Sequence, residues 1–298
     1  MPLRGLVVAL VLATAMACTP GGTSTTSRAG PPTAAEPPSC GPLTRASRNA
    51  CAHRWLPTRD GFVPQGLAVA GRTAWVGGVD ADGQPRTCVV VRVDLRRGTV
   101  RDRVDLPRCW HGGGLVRDEH GLWLVDTRQL LLLDEDELTV QRTWRLLDPL
   151  RGSFATGDDA GRLGLGRWHP RRPGVLDWVE TEALLAPGVT EVGAAQVVGS
   201  VPAPARAQGA VVLGGRWSGV WFSRSVTRCG ILVGPGGRRR ALVPGAEGLA
   251  RSGEDAVWVV SEAGSAYYQR QGGRPRVPTL IRLDVTDLAT GPRPDCTV

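Results

Sequence analysis

Five polar residues occupy equivalent positions along the chain and could together form a ligand-binding site. Each is the first residue of a short segment that continues with small and apolar residues, and we call these five positions the openings. They are Gln65, His111, Ser153, Gln208 and Glu247. Amide, imidazole, hydroxyl and carboxyl groups can all bind a polar ligand, and their convergence at a concave opening is typical of a small-molecule site. The structural alternative is that these side chains hydrogen-bond to strand ends and to channel water.

A second carboxylate, Glu262, follows the last of these segments in a loop that also contains Tyr267 and Tyr268, the only tyrosines of the chain. Together Glu247 and Glu262 could bind a cation such as calcium or perform acid–base chemistry. Capping of a strand-end turn is the alternative role for them. The loop itself, which continues to Arg276, is a candidate for ligand specificity because long loops often carry it.

An internal repeat would bring the five openings together. Successive openings are separated by 46, 42, 55 and 39 residues. Four of them are followed by a tryptophan set between apolar residues: Trp75, Trp123, Trp221 and Trp258. The copy that opens at Ser153 is degenerate and continues through Leu163 to Trp168. Periods of this size are typical of β-propeller blades, whose innermost strands begin beside a central channel.

Short strands separated by Gly, Pro and Asp turns fill each period, and no segment of ten or more residues keeps a helical apolar pattern. The sequence therefore predicts an all-β propeller with four strands per blade and five blades. Six blades is the alternative, if residues 153–208 contain a further degenerate blade. The last blade lacks a fourth strand, so residues 52–56 are predicted to supply it and close the ring. The four tryptophans are predicted to lie in the core between blades.

The beginning of the chain predicts export. A positively charged start is followed by an apolar run that is too short to span a bilayer stably, as in a signal peptide. Residues Ala15 to Cys18 resemble the lipobox of bacterial lipoproteins, which implies cleavage before Cys18 and acylation of its thiol. The expected organisation is a signal peptide at 1–17, a lipidated cysteine and disordered tether at 18–39, and the propeller domain at 40–298. The domain would then lie at the outer face of the cytoplasmic membrane. Cleavage after Ala17, which gives a free secreted protein, is the alternative.

Six further cysteines remain if Cys18 carries lipid. They are Cys40, Cys51, Cys88, Cys109, Cys229 and Cys296. An even number in an exported chain predicts disulfides, because the oxidising compartment lets them persist. Of the 15 possible pairings, we expect Cys40–Cys51, Cys88–Cys109 and Cys229–Cys296.

The net charge of +8 comes entirely from arginine, since the chain contains no lysine. The arginines are scattered, and aromatic residues do not alternate with them as a nucleic-acid stacking platform requires. No nucleic-acid partner is therefore predicted. A basic surface beside anionic lipid would add weak attraction to the membrane.

The repeats resemble the blades of the gluconolactonase, strictosidine-synthase and NHL group of propellers. Units of that group often open with Pro-x-Gly-apolar, as Pro64 to Leu67 do here, and the resemblance covers residues 60–290. Lactonase-type members hold a divalent metal through a glutamate in an early Glu-Gly motif together with Asn and Asp ligands. In this chain the early position is Gln65, the Glu-Gly pair is in the last blade at Glu247, and the only asparagine is Asn49, outside the repeats. The metal site implied by the resemblance is therefore not intact.

Two functions from different classes follow from these patterns. The first is a non-catalytic module that binds a small molecule, glycan or protein at the channel mouth, with no cofactor and no catalytic residue. The alternative is a hydrolase or lactonase in which Glu247, Glu262 and His111 hold calcium or a similar ion that polarises a substrate carbonyl.

Overall fold

The computed structural model describes residues 51–54, 61–273 and 279–298. These residues form five antiparallel sheets arranged as a five-bladed propeller, together with short helices of three to six residues. The predicted fold class and the prediction of five blades are confirmed. Among the helices in these ranges, none has the length and apolar character needed to cross a membrane.

The chain enters the domain through β1 (Cys51–Arg54) and then builds its blades in sequence order. Blade 1 contains β2 (Phe62–Ala70), β3 (Thr73–Asp80), β4 (Thr87–Asp94) and β5 (Thr99–Leu106). Blade 2 contains β6 (Gly114–Asp118), β7 (Gly121–Asp126), β8 (Gln129–Leu133) and β9 (Val140–Leu146). Blade 3 begins with β10 (Phe154–Gly157), β11 (Arg162–Arg167) and β12 (Gly174–Glu180).

The outer part of blade 3 is irregular. After β12 the chain forms α1 (Thr181–Leu185), then β13 (Glu191–Val192), which pairs with β9 of blade 2, and finally the outer strand β14 (Val197–Ala203). Blade 4 contains β15 (Ala207–Leu213), β16 (Gly219–Val226), β17 (Cys229–Val233) and β18 (Arg239–Leu242). Blade 5 contains β19 (Ala246–Ser252), β20 (Ala256–Ser261), α2 (Ala266–Gln269), β21 (Thr279–Asp284) and α3 (Val285–Thr290). The long interval from 153 to 208 therefore contains this helix and extra strand, and no sixth blade.

The ring closes with a strand from the beginning of the domain. β1 pairs antiparallel with β21 as the outermost strand of blade 5, with Cys51 opposite Arg282 and Arg54 opposite Thr279. The prediction of an N-terminal closing strand is confirmed, and the strand begins one residue earlier than expected. Pairing β1 removes the bare edge that β21 would otherwise present.

The hydrophobic core lies between neighbouring blades. Trp75, Trp123, Trp221 and Trp258 are all at most 6% exposed, and each packs with apolar side chains of the following blade. This confirms their predicted role in the core. Blade 3 has no tryptophan in its second strand; instead Trp178 of β12 packs with Phe222 of blade 4.

Glycine at the second position of the openings allows the innermost strands to approach one another at the axis. A Cβ atom on Gly66 would lie 2.8 Å from the backbone nitrogen of Leu115, and one on Gly248 would lie 2.6 Å from the carbonyl oxygen of Gln65. Real Cβ atoms essentially never come this close to backbone. The polar-Gly pattern therefore reflects crowding where β2, β6, β10, β15 and β19 meet.

Two of the three predicted disulfides are present. Cys88 pairs with Cys109 and Cys229 pairs with Cys296, with Cα–Cα distances of 5.1 and 5.8 Å. The predicted Cys40–Cys51 bridge involves Cys40, which lies outside the described residues. Such cross-links typically contribute about 2 to 4 kcal/mol to the free energy of unfolding, and they indicate an oxidising, extracytoplasmic environment.

The crowding at the axis predicts the effect of adding a single methyl group. Gly248→Ala should lower the free energy of unfolding by about 1 to 3 kcal/mol, because the neighbouring atoms are backbone and cannot rotate away. Gly199→Ala on the outer strand β14 is the matched control, since a methyl group there would have no other atom within 4 Å. Urea unfolding followed by tryptophan fluorescence compares the two. Equal stability of both variants would contradict close packing of the innermost strands.

Candidate functional site

The five openings surround one cavity at the end of the channel where the innermost strands begin. The cavity has a volume of about 300 Å³. Its lining contains all five of the opening residues, Gln65, His111, Ser153, Gln208 and Glu247, and in addition Thr127, Trp168, Ala207 and Tyr268. The predicted juxtaposition is therefore present, whereas ligand binding by these residues stays a prediction. We refer to this cavity as the channel mouth.

β-Bulges direct three of the five side chains. The pairing between the first and second strands of a blade shifts register around Gln65 in blade 1, around Gln208 in blade 4 and around Glu247 in blade 5. A bulged residue has no partner in the ladder, so its side chain can leave the regular alternation of the strand. Bulges at equivalent places in three blades explain why these side chains reach the same cavity.

His111 is held in the channel mouth by a buried carboxylate. Asp126 is 2% exposed and accepts hydrogen bonds from the backbone nitrogens of Trp110, at 3.2 Å, and His111, at 2.9 Å. The adjacent Cys109 is fixed by its disulfide to Cys88. Burial lowers the pKa of His111, an effect that the charge of Asp126 partly offsets. The imidazole is therefore neutral at pH 7, and its Nδ1 atom is buried without a hydrogen-bond partner.

Two buried carboxyl groups lie side by side beneath the channel mouth. Glu247 and Glu262 are 3% and 4% exposed. Burial raises the pKa of Glu247, and the neighbouring charge of Glu262 raises it further. Burial also raises the pKa of Glu262, although hydrogen bonds with Glu247, Tyr268 and Gln65 partly offset the shift. The two groups therefore keep a proton between them at pH values where exposed glutamates are ionised.

Gln208 connects the carboxyl pair to β16. Its amide Nε2 donates to Oε1 of Glu247, while its Oε1 accepts hydrogen bonds from the backbone nitrogen and the hydroxyl of Ser225 at 2.9 and 3.0 Å. The Gln208 side chain is thus held in one orientation. By contrast, Oε1 of Gln65 and Oε2 of Glu262 are buried without a hydrogen-bond partner. The site therefore combines fixed polar groups with unsatisfied ones.

Sequence reasoning missed part of the lining. The repeat pattern places Trp168 in the degenerate copy of blade 3, but this residue lies in the loop after β11, is 42% exposed and lines the channel mouth. Its neighbours Arg167 and His169 are polar, unlike those of the four core tryptophans, and this difference is a usable signal. Thr127 follows β7 and carries no recognisable signal. Tyr268 belongs to the loop predicted to carry specificity; residues 274–278 of that loop lie outside the described ranges.

The three residues predicted to hold a metal ion do not form a compact ligand group. Within the described ranges, the groups of three ligand atoms that lie within 4.8 Å of one another are Cys88, Cys109 and Asp126, and Glu119, His120 and Glu182. The first includes both sulfurs of a disulfide, and the second lies at the other end of the channel. His111, Glu247 and Glu262 are not such a group, so the donor arrangement does not fit the expected calcium site. Calcium binding itself stays an untested prediction.

Comparison with known proteins gives similarity of structure only. No family model matches the chain, and no curated protein matches it significantly. Among solved structures, hydrazine synthase of Kuenenia stuttgartiensis is 11% identical over 74% of each chain, with a TM-score of 0.40. A luciferin-regenerating enzyme is 9% identical over 78% of this chain and 94% of its own, with a TM-score of 0.46. BamB from Moraxella catarrhalis is 13% identical over 74% of this chain and 57% of its own, with a TM-score of 0.32.

The buried carboxyl pair predicts how stability depends on pH. The pKa of Glu262 is raised from 4.5 to about 8, so the folded state binds more protons than the unfolded state between these values. The free energy of unfolding should therefore fall as pH rises from 4.5 towards 8, by at most about 1.4 kcal/mol per pH unit for one proton. Glu262→Gln should make this slope shallower, because the neutral amide does not titrate.

Denaturant unfolding at several pH values measures the slope. Glu254→Gln is the matched control, since Glu254 is exposed in the turn between β19 and β20, and it should keep the wild-type slope. An unchanged slope in Glu262→Gln would contradict the raised pKa of Glu262.

Proposed function

We propose that this protein is an extracytoplasmic binding module whose channel mouth receives a small polar ligand. The observation that carries the proposal is a pair of unsatisfied buried atoms: Oε1 of Gln65 and Nδ1 of His111 have no hydrogen-bond partner, and both residues line the same cavity. A buried polar group without a partner costs about 1 to 3 kcal/mol. A ligand that supplies the missing hydrogen bonds would recover this free energy on binding.

Hydrogen bonds hold two parts of the site in place before any ligand binds, and this supports binding by preformed groups. Asp126 fixes the backbone of His111, and Ser225 fixes the amide of Gln208, so this backbone and the Gln208 side chain are already in place when a ligand arrives. Groups that are already in place lose little conformational entropy on binding. No observation in the described part of the chain favours the metal-assisted hydrolase. The ligand atoms of His111, Glu247 and Glu262 do not all lie within 4.8 Å of one another.

The location we propose is the outer face of the cytoplasmic membrane. Support comes from two disulfides, which persist in oxidising compartments, and from Ala15 to Cys18, which resemble a lipobox. In this proposal Cys18 carries the lipid, and residues 19–39 act as a tether between the membrane and the propeller. The partners are then the membrane, through the anchor, and one polar ligand, with no nucleic acid.

Blocking the channel mouth should abolish ligand binding without unfolding the domain. In Ser153→Phe a large ring replaces a half-buried lining side chain. The full chain and the variant are heated with D-glucose, D-galacturonate, citrate, glycine betaine or calcium chloride. At least one organic compound should raise the Tm of the wild type, because a ligand that binds the native state stabilises it by mass action. The same compound should not change the Tm of Ser153→Phe.

Ser218→Phe, at an exposed turn on the opposite end of blade 4, is the control and should respond like the wild type. The proposal fails if no organic compound stabilises the wild type, or if the stabilisation persists in Ser153→Phe. A Tm that rises with calcium and is unaffected by the organic compounds would instead favour the metal-assisted alternative.

Lipid anchoring has a separate test in cell fractions. Cys18→Ser removes the thiol that would be acylated, so the variant should leave the membrane fraction, while Thr19→Ser should remain there. A wild-type protein that is released by high salt without detergent would contradict anchoring by lipid and favour the secreted alternative.

A further inference from the structure

The loops around the channel mouth carry a concentration of exposed arginines. Because successive strands run antiparallel, the connections that follow the second and fourth strands of each blade lie on the same side as the openings. These connections contain Arg108, Arg128, Arg171, Arg172, Arg206 and Arg228, all of them exposed. We call these six residues the arginine rim.

The arginine rim is not neutralised by carboxylates of the same loops. None of its members forms an ion pair within the described residues, and the ion pairs of these loops, such as Arg151 with Asp148 and Arg270 with Asp82, involve other arginines. The opposite side also has exposed arginines, such as Arg72, Arg96 and Arg216, but its turns balance them with exposed carboxylates. These carboxylates are Glu119, Asp136, Glu137, Asp159, Glu182 and Glu254. The excess of positive charge therefore surrounds the channel mouth, where it attracts anions over some distance.

Two exposed tryptophans stand in the same loops. Trp110 is 72% exposed and Trp168 is 42% exposed. Trp110 does not contribute to the core, yet its backbone is fixed by Asp126 and by the neighbouring disulfide of Cys109. The loop of Trp168 is likewise fixed, because the backbone nitrogen of Arg206 donates to the carbonyl oxygen of His169 at 2.8 Å. Exposed indole rings carried on a fixed backbone are typical of surfaces that bind a partner.

We propose, on the basis of the proposed function, that the ligand is an acidic polysaccharide, a chain of sugar rings that carry carboxylate groups. One ring enters the channel mouth, where its hydroxyl groups meet Oε1 of Gln65 and Nδ1 of His111, the two atoms that lack a partner. The neighbouring rings lie on the face of the domain, with their apolar faces against Trp110 and Trp168. Their carboxylates pair with the arginine rim, whose guanidinium groups bind carboxylate through two parallel hydrogen bonds.

The channel mouth favours a sugar chain over a nucleic acid. Single-stranded nucleic acids are bound along an open basic groove, with successive bases stacked on a series of aromatic rings. Here the cavity of about 300 Å³ is lined mainly by amide, hydroxyl, imidazole and carboxyl groups, which complement the hydroxyls of one sugar ring. Two aromatic rings, Trp168 and Tyr268, complete the lining and do not make a series along an open groove. The described lining contains no arginine, so it offers no cation for a phosphate inside the cavity.

The test measures the Kd of the full chain for oligogalacturonate, the probe for carboxylated sugars, by isothermal titration. Fully methyl-esterified oligogalacturonate is the neutral counterpart, and oligothymidylate is the nucleic-acid probe. We expect the free acid to bind about tenfold or more tightly than the ester. Arg171→Gln with Arg172→Gln, and separately Trp168→Ala, should each raise the Kd for the free acid about tenfold or more. Higher salt should weaken the wild type more than the double arginine variant.

The control double variant, Arg96→Gln with Arg97→Gln, removes two exposed arginines from the opposite side and should keep the wild-type Kd. Circular dichroism and Tm show that each variant is folded. Equal loss in both double variants would overturn the proposal, because net charge alone would then explain binding. Equal affinity for oligothymidylate would also overturn it and identify a nucleic-acid partner.

Two outcomes separate this inference from the proposed function. If the ester binds as tightly as the acid and Ser153→Phe blocks both, the channel mouth binds sugar but the requirement for carboxylates is wrong. If no sugar probe binds while another compound stabilises the wild type and not Ser153→Phe, the binding module stands and the polysaccharide is wrong.

Discussion

The close approach of five strands at one axis is the constraint on which the rest of the structure depends. Backbone of one blade meets backbone of the next where β19 passes β2 and where β2 passes β6, and there is no room for a Cβ atom at Gly66 or Gly248. The same crowding places the polar opening residue of each blade, which lies in or just before its innermost strand, at a narrow cavity. The convergence of five polar side chains at one cavity is therefore a geometric consequence of how the blades pack, and only the identity of the five residues is free to vary.

The axis combines apolar packing, which stabilises the ring, with buried polar groups, which do not. The tryptophans between blades stabilise the ring by burying apolar surface, whereas Glu247 and Glu262 are polar groups buried at the same axis. Burial raises the pKa of both carboxyl groups, so the domain holds them as a proton-sharing pair. Part of their hydrogen-bonding capacity is met by Gln208 and Tyr268. What remains unmet, at Gln65, His111 and Glu262, is a local cost that a purely structural core would be expected to avoid.

The sequence predicted the fold well because a repeat expresses one structural unit several times. Each copy of the polar-Gly opening and its tryptophan strand adds evidence for the same blade, so the number of blades and the closing strand could be predicted. The two disulfides were predicted separately, from the even number of cysteines. The degenerate third copy limited this reasoning. Its core tryptophan, Trp178, comes from the third strand, and Trp168 serves the cavity instead. Loop conformation was also beyond prediction, since the position of Trp110 depends on the buried Asp126 in another strand.

Closure by β1 pairs the first strand of the described domain with its last strand, β21. During folding β1 gains its partner only when β21 is available. Contacts between such distant segments have a high contact order and form late in folding. Blade 5 should therefore be the last to become resistant to proteolysis, because its outermost strand comes from the opposite end of the domain.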